Sequence, residues 1–168
     1  KAKADRQPIY SSGGTACLDG KSIKEICELR SKMHFADKTR AQYALCASAY
    51  ELIRNVRYQP EQGFNNILEK YLHEDWQVDY WYRQFYTAYD SLKNASGFGK
   101  LQQLIENIYS NIYLGKLLPA WNEDAVQAAV QKQAPLQRDF NSRYIKNERD
   151  RIVVIISDAL RYEVAKQL

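Results

Sequence analysis

The sequence predicts a mainly α-helical protein, a multi-helix bundle followed by a single C-terminal strand and the start of a further helix. Three observations support this class. Seven glycines and four prolines among 168 residues leave long stretches without helix breakers. Apolar side chains recur every three or four residues over most of the chain, which is the spacing of one helix face. Residues 152–156 depart from this spacing, because they are five consecutive aliphatic β-branched residues.

Composition excludes several classes of protein. With 45% hydrophobic and 26% charged residues, the chain can bury a core and is not disordered, collagen-like or a disulfide scaffold. The net charge of +4 is too small by itself to predict a nucleic-acid or membrane-surface protein. Cys17, Cys27 and Cys46 lack metal-binding spacing, which favours free thiols in a reducing compartment. Without an apolar run of membrane-spanning length or a signal peptide, we expect a cytoplasmic protein with no membrane partner.

The first predicted elements form a helical hairpin. Residues 1–20 show no periodicity and are interpreted as a linker or a partial edge segment. Ser22 and Glu25 have capping-box spacing, which predicts a helix over 22–35. Asp37 can cap a second helix, and Pro60 ends it.

The next stretch, between Gly63 and Gly97, contains no glycine or proline and predicts one long helix or two in tandem. Its centre is rich in aromatic side chains. These are Trp76, Tyr80, Trp81, Tyr82, Phe85, Tyr86 and Tyr89. They could stack on bases or on a partner, but their helical spacing favours the core of a bundle.

Further helices are predicted after a loop over 94–99. An amphipathic helix built on Leu101, Leu104, Ile105, Ile108 and Ile112 should end between 115 and 119. Asn122, followed by two acidic residues, predicts a new helix start, with Val126, Ala129 and Val130 facing inward. Pro135 should restart or kink the helix, which then runs to about Asn147.

The segment from Lys132 to Arg151 carries six basic and three acidic side chains. Such a segment could contact phosphates, including those of DNA. Mixed-sign charge on a helix face is more often solvated surface, so both interpretations stay open.

The aliphatic run at 152–156 predicts a strand that is apolar on both faces, as found in the centre of a sheet covered by helices. A single strand has nothing to pair with. We therefore expect a helical domain over 21–150, and over 151–168 the first strand and first helical turns of an α/β domain that is cut off at Leu168.

Asp158 follows this predicted strand, at the end of a sheet where α/β proteins bind ligands. Its carboxylate could cap the following helix, or it could be one ligand of a divalent cation. Spacing alone favours capping.

The segment Val153 to Leu168, VVIISDALRYEVAKQL, resembles the signature that opens the catalytic domain of the PglZ family. This family of phosphatase-like proteins acts in BREX phage-defence systems and belongs to the alkaline phosphatase superfamily. Residues 79–85 (DYWYRQF) and 108–114 (IYSNIYL) resemble the region before that domain more loosely.

The resemblance implies that Asp158 is a metal ligand, with zinc or manganese as the metal of the complete protein. Arg161 and Glu163 match the signature without an implied role. Ser157 precedes the ligand and is not the implied nucleophile, and His34 and His73 are expected to be surface residues. No catalytic residue is expected in this chain, and one carboxylate cannot hold a catalytic cation alone. The chain by itself should therefore be inactive and bind no metal.

Two functions follow from different classes of protein. The resemblance implies part of a metal-dependent phosphatase or phosphodiesterase, whose partners would be other BREX-type defence proteins. The alternative is a non-catalytic helical module that binds defence-complex subunits or nucleic acid.

Overall fold

A computed structural model of the chain describes residues 22–130 and 136–168, except for the side chains of 124–130. The predicted linker or partial edge segment over 1–20 and the break at Pro135 lie outside the described residues. The predicted inward-facing positions 126, 129 and 130 fall where only the backbone is described. Elsewhere the prediction of a mainly helical chain is confirmed.

The predicted hairpin is present, with shorter helices. Helix α1 spans Ile23–Ser31 and helix α2 spans Arg40–Ile53, and the two pack against each other. Short 3-10 turns at His34–Ala36 and Arg54–Arg57 follow the two helices. Thr39, and not Asp37, lies at the start of α2, while the Asp37 carboxylate accepts a hydrogen bond from the Arg40 guanidinium.

The capping box at the start of α1 is confirmed. The Glu25 amide donates to Ser22 Oγ at 3.2 Å, and the Ser22 amide donates to Glu25 Oε2 at 2.6 Å. These bonds satisfy amide groups that have no partner inside the helix.

Replacing Ser22 with Ala should therefore lower the free energy of unfolding by about 1 kcal/mol. A Ser91→Ala control removes a hydroxyl that donates to the carbonyl of Thr87, four residues earlier in the chain, at 2.8 Å. We expect the control to change stability by less than about 0.5 kcal/mol. Urea denaturation followed by circular dichroism compares them, and equal losses would contradict a capping role for Ser22.

The third predicted stretch forms one helical rod. Helix α3 spans Phe64–Lys70, a π-helical segment spans Tyr71–Asp75, and helix α4 spans Trp76–Asp90. Gly63 precedes α3 at φ 86°, a left-handed conformation that favours glycine. The rod confirms the interpretation of one long helix, with a local change of hydrogen-bond register in its middle.

A second rod follows a 3-10 turn at Ser96–Phe98. It consists of helix α5 over Gly99–Glu106, a π-helical segment over Asn107–Leu114 and helix α6 over Gly115–Val130. The predicted helix end between 115 and 119, and the predicted start at Asn122, are therefore wrong. Pro119 lies inside α6. Leu117 and Trp121 pack against the core on either side of it, and this packing outweighs the missing proline amide.

The core lies between the hairpin and the two rods. Helix α2 packs against α4, and side chains from α2 and from both rods form one cluster. Its fully buried members include Leu45, Leu52, Ile67, Phe85, Ile105 and Tyr113. Cys27 is a buried free thiol and Cys46 a half-buried one, whereas Cys17 lies outside the described residues.

The C-terminal part differs most from prediction. In place of a helix to about Asn147 there are a 3-10 turn at Gln137–Asp139 and a π-helical turn at Asn141–Ile145. Residues 151–157 form neither helix nor strand, so the predicted strand is not present, since no other described segment pairs with it. The final helix, α7, spans Tyr162–Ala165. Of the helices described, none combines the length and apolar character needed to cross a membrane.

Candidate functional site

Asp158 lies in an exposed turn between the aliphatic run and α7. Ala159, the next residue, has φ 54°, a left-handed conformation that is strained for a residue with a side chain. Among the described parts of the chain, no side chain or backbone group forms a hydrogen bond with the Asp158 carboxylate. Strain of this kind is concentrated at functional sites, so the turn is a candidate site on geometry as well as on sequence.

The structure does not support the capping interpretation of Asp158. Helix α7 begins at Tyr162, and its capping position is Arg161, three residues after Asp158. No described side chain forms a hydrogen bond at that cap. The carboxylate is therefore not used by the helix that follows it.

The exposed carboxylate is a hard oxygen donor of the kind that divalent cations prefer, so Asp158 fits the role of one ligand. Among the side chains that the structure describes, there is no group of three His, Cys, Asp or Glu that could hold a metal ion. His34 and His73 are both exposed, and His73 pairs with Glu69. The remaining ligands of a complete site would have to come from other residues.

Glu163 is the charged residue of the signature that the structure buries. Its side chain is only 4% exposed, and it forms an ion pair with the guanidinium of Arg83 on α4. The two residues are 80 positions apart in the sequence. A buried carboxylate needs such a partner, because an unpaired charge is costly in the interior. The ion pair therefore connects the signature to the helical region.

Two more signature residues contact the first rod. The Tyr162 hydroxyl donates to the Leu72 carbonyl at 3.2 Å, and its ring lies 5.8 Å from the ring of Tyr71. Lys166 Nζ lies 5.9 Å from the centre of the Trp76 ring. Helix α7 thus rests on the π-helical segment and the first turns of α4.

Asp79 organises the surface on which α7 rests. Its two carboxylate oxygens accept hydrogen bonds from the hydroxyls of Tyr71, at 2.7 Å, and Tyr109, at 2.9 Å. Burial raises the pKa of the Asp79 carboxyl, and these two hydrogen bonds oppose the rise. Arg161 is close enough for its charge also to lower this pKa. Asp79 therefore joins both rods beneath the signature segment.

The aromatic stretch is mainly a packing surface. Phe85 is fully buried, and Trp81, Tyr82, Tyr86 and Tyr89 are partly buried against the core. Tyr82 stacks on Tyr109 of the second rod, with ring centres 3.6 Å apart and planes at 10°. The core interpretation of these side chains is therefore confirmed.

Sequence reasoning found Asp158 but missed Asp79 and Arg83. A signal for both was present, because they are four positions apart and thus share one helix face in an otherwise aromatic stretch. Arg161 and Glu163 match the family signature, which implies no role for them. The structure gives Glu163 a structural partner and places Arg161 near Asp79.

Comparison with known proteins gives two relatives. The chain is 34% identical over 170 residues to the alkaline phosphatase-like protein PglZ of Bacillus cereus (strain H3081.97), an alignment that covers 91% of the chain and 19% of the relative. It is 31% identical over 171 residues to the alkaline phosphatase-like protein BrxZ of Escherichia coli O9:H4 (strain HS), covering 90% and 20%. No protein-family model and no solved structure matches the chain.

These relatives place the chain among the alkaline phosphatase-like proteins. The chain spans about one fifth of their length. Within that class it belongs to the PglZ family, as the signature over residues 153–168 had indicated.

Proposed function

We propose that this chain is the helical region and the opening of the catalytic domain of a metal-dependent phosphatase or phosphodiesterase. The exposed Asp158 carries the proposal. It lies on a strained turn, no described group forms a hydrogen bond with it, and the residues after it are anchored to the helical region. The alkaline phosphatase-like relatives support a phosphoryl substrate and a divalent metal, of which zinc or manganese is the proposed ion.

The domain organisation is part of the proposal. In this proposal, residues 1–20 are a linker or a partial edge segment, residues 21–150 are the helical domain, and residues 151–168 belong to the catalytic domain. Val153, Ile155 and Ile156 are 85%, 87% and 87% exposed, and aliphatic side chains of this kind are normally covered. In the longer protein, residues 152–156 would be a strand of the catalytic sheet.

The proposal assigns Asp158 one ligand position and assigns no catalytic residue to this chain. Several ligands are required to hold a catalytic cation, and the described side chains include no group of three that could hold one. The chain alone is therefore expected to be inactive and to bind no metal tightly. The full-length protein would act in the cytoplasm in BREX-type defence against phage, with other BREX proteins as partners.

The test compares full-length protein carrying Asp158→Asn with wild type. We expect a loss of bound zinc or manganese, measured by mass spectrometry after dialysis, and a loss of phosphodiester cleavage. Asp150→Asn is the matched control, because Asp150 is also exposed and lies before the aliphatic run. Unchanged metal content and rate in Asp158→Asn would remove Asp158 from the site.

A second candidate is a helical module that binds nucleic acid, such as DNA. Arg138, Arg143, Lys146, Arg149 and Arg151 are all exposed. Among them Phe140 and Tyr144, also exposed, have ring centres 5.5 Å apart. Basic side chains next to exposed rings suit single-stranded nucleic acid. DNA binding measured over a salt series tests it, since phosphate contacts strengthen as salt falls, and no binding at low salt would rule it out.

A further inference from the structure

We infer that Arg83 is a positioning residue for the Asp158 turn and acts through its ion pair with Glu163. This inference rests on the proposed role of Asp158. It gives the helical region a specific task, which is to hold the start of the signature in one place relative to the rest of the site.

Asp158 lies close along the chain to Glu163, the residue through which α7 is anchored. Glu163 follows Asp158 by five residues, and α7 begins one residue before Glu163. Because the connection is this short, fixing the position of α7 also restricts the positions that the Asp158 carboxylate can occupy. Residues 151–160 are otherwise exposed, so α7 provides the nearest buried contact.

Specific side-chain contacts fix α7 on the first rod. Glu163 is buried and its partner, Arg83, is about one third exposed, so this ion pair fixes one carboxylate against one helix face. The Tyr162 hydroxyl bond to Leu72 and the contact of Lys166 with Trp76 fix the position of α7 along the first rod. Three separate contacts leave α7 a single orientation.

The surface on which α7 packs is itself held by the core of the helical region. Arg83 lies one helical turn after Asp79, whose carboxylate is bonded to hydroxyls from both rods. The surface on which α7 packs is therefore held in place by hydrogen bonds between the two rods, and we expect it to stay in place when α7 moves. Residues that hold metal ligands from outside the ligand set typically change metal affinity by about 10–100-fold when replaced.

The experiment uses full-length protein with Arg83→Met, Arg83→Lys, the exchange Arg83→Glu with Glu163→Arg, and Asp158→Asn. Arg57→Met is the matched control, since Arg57 is exposed and none of the described residues forms an ion pair with it. Two quantities are measured: the affinity for Zn²⁺ or Mn²⁺ by competition with a chelator, and amide hydrogen exchange over residues 159–166. Circular dichroism checks that each variant is folded.

We expect Arg83→Met to weaken metal affinity by about tenfold and to speed exchange over 159–166. Arg83→Lys keeps the charge and should restore metal affinity and slow exchange in part, as should the exchange of the two charges. Arg57→Met should change neither quantity. Lysine rescue is not expected if Arg83 only fills space, so its failure would contradict an ionic anchor.

The outcomes separate this inference from the proposed function. If Asp158→Asn loses metal but Arg83→Met keeps wild-type affinity, the positioning role is overturned and the ligand role stands. If Asp158→Asn keeps its metal, the proposed function is overturned. Hydrogen exchange then decides whether Arg83 anchors the turn: faster exchange in Arg83→Met supports the anchor, and unchanged exchange overturns it.

Discussion

Replacing Phe85 with Ala should lower the free energy of unfolding by about 3–5 kcal/mol, the largest loss we expect from any single change in this chain. Phe85 is fully buried in α4, in the cluster that α2 and the second rod also enter. Its ring lies 5.5 Å from that of Tyr86 and 6.1 Å from that of Tyr89. The substitution removes these contacts and leaves a cavity that the surrounding helices can only partly fill.

Phe35→Ala is the matched control, because it makes the same chemical change at a side chain that is 67% exposed. We expect a change within about 0.5 kcal/mol for the control. Urea denaturation of both variants measures the difference. Similar losses at the two positions would contradict the placement of the core between α2, α4 and the second rod.

Replacing Tyr58 with Phe should lower the free energy of unfolding by about 1.5–3 kcal/mol at pH 7. Its hydroxyl donates at 2.8 Å to Oδ2 of Asp75, and both residues are 7% exposed. The variant leaves a buried carboxylate without this donor. Burial raises the pKa of the Asp75 carboxyl, while the Tyr58 hydrogen bond and the charge of Lys70 lower it.

The pH dependence of this loss has a definite sign. The folded-state pKa of Asp75 is above its ordinary value near 4. Between these two pKa values the folded chain binds more protons than the unfolded chain. The contribution of Asp75 to stability therefore falls as pH rises through this window. Tyr58→Phe removes a hydrogen bond that lowers this pKa, so the folded-state pKa of Asp75 rises further. The stability of the variant therefore falls by more, and over a window that extends to higher pH. The difference from wild type should therefore be small at pH 3 and full at pH 7.

Thermal unfolding at several pH values tests this prediction. Tyr144→Phe removes a hydroxyl from a ring that is 59% exposed and provides the control, for which we expect no pH-dependent loss. A loss in Tyr58→Phe that is equal at pH 3 and pH 7 would show that the hydroxyl does not act through the Asp75 charge.

The sequence predicted the helical class and most of the helix faces, because helical spacing is a local property. The Ser22 capping box and the burial of Phe85 were both accessible in this way. The ends of the helices were harder to predict from the sequence. At Pro119, the packing of Leu117 and Trp121 carries the helix through a residue that normally ends one. At residues 71–75 and 107–114, the chain continues as π-helix, for which spacing gives no signal.

Interactions between distant parts of the chain account for the other differences. A strand over 152–156 depends on a pairing partner, and no described segment provides one. The ion pair between Arg83 and Glu163 joins residues 80 positions apart, so no local pattern contains it. Asp158 was identified through a resemblance to a family signature. Its exposure, the strained turn and the absence of a capping role are what the structure adds.

The most direct test of the account is an experimental structure of the full-length protein with Zn²⁺ or Mn²⁺, with the metal located by anomalous scattering. The account predicts an Asp158 carboxylate oxygen within about 2.0–2.6 Å of the metal, while Glu163 remains paired with Arg83. A metal bound without Asp158 would contradict the proposed ligand. A Glu163 carboxylate separated from Arg83 would contradict the anchoring of the signature to the helical region.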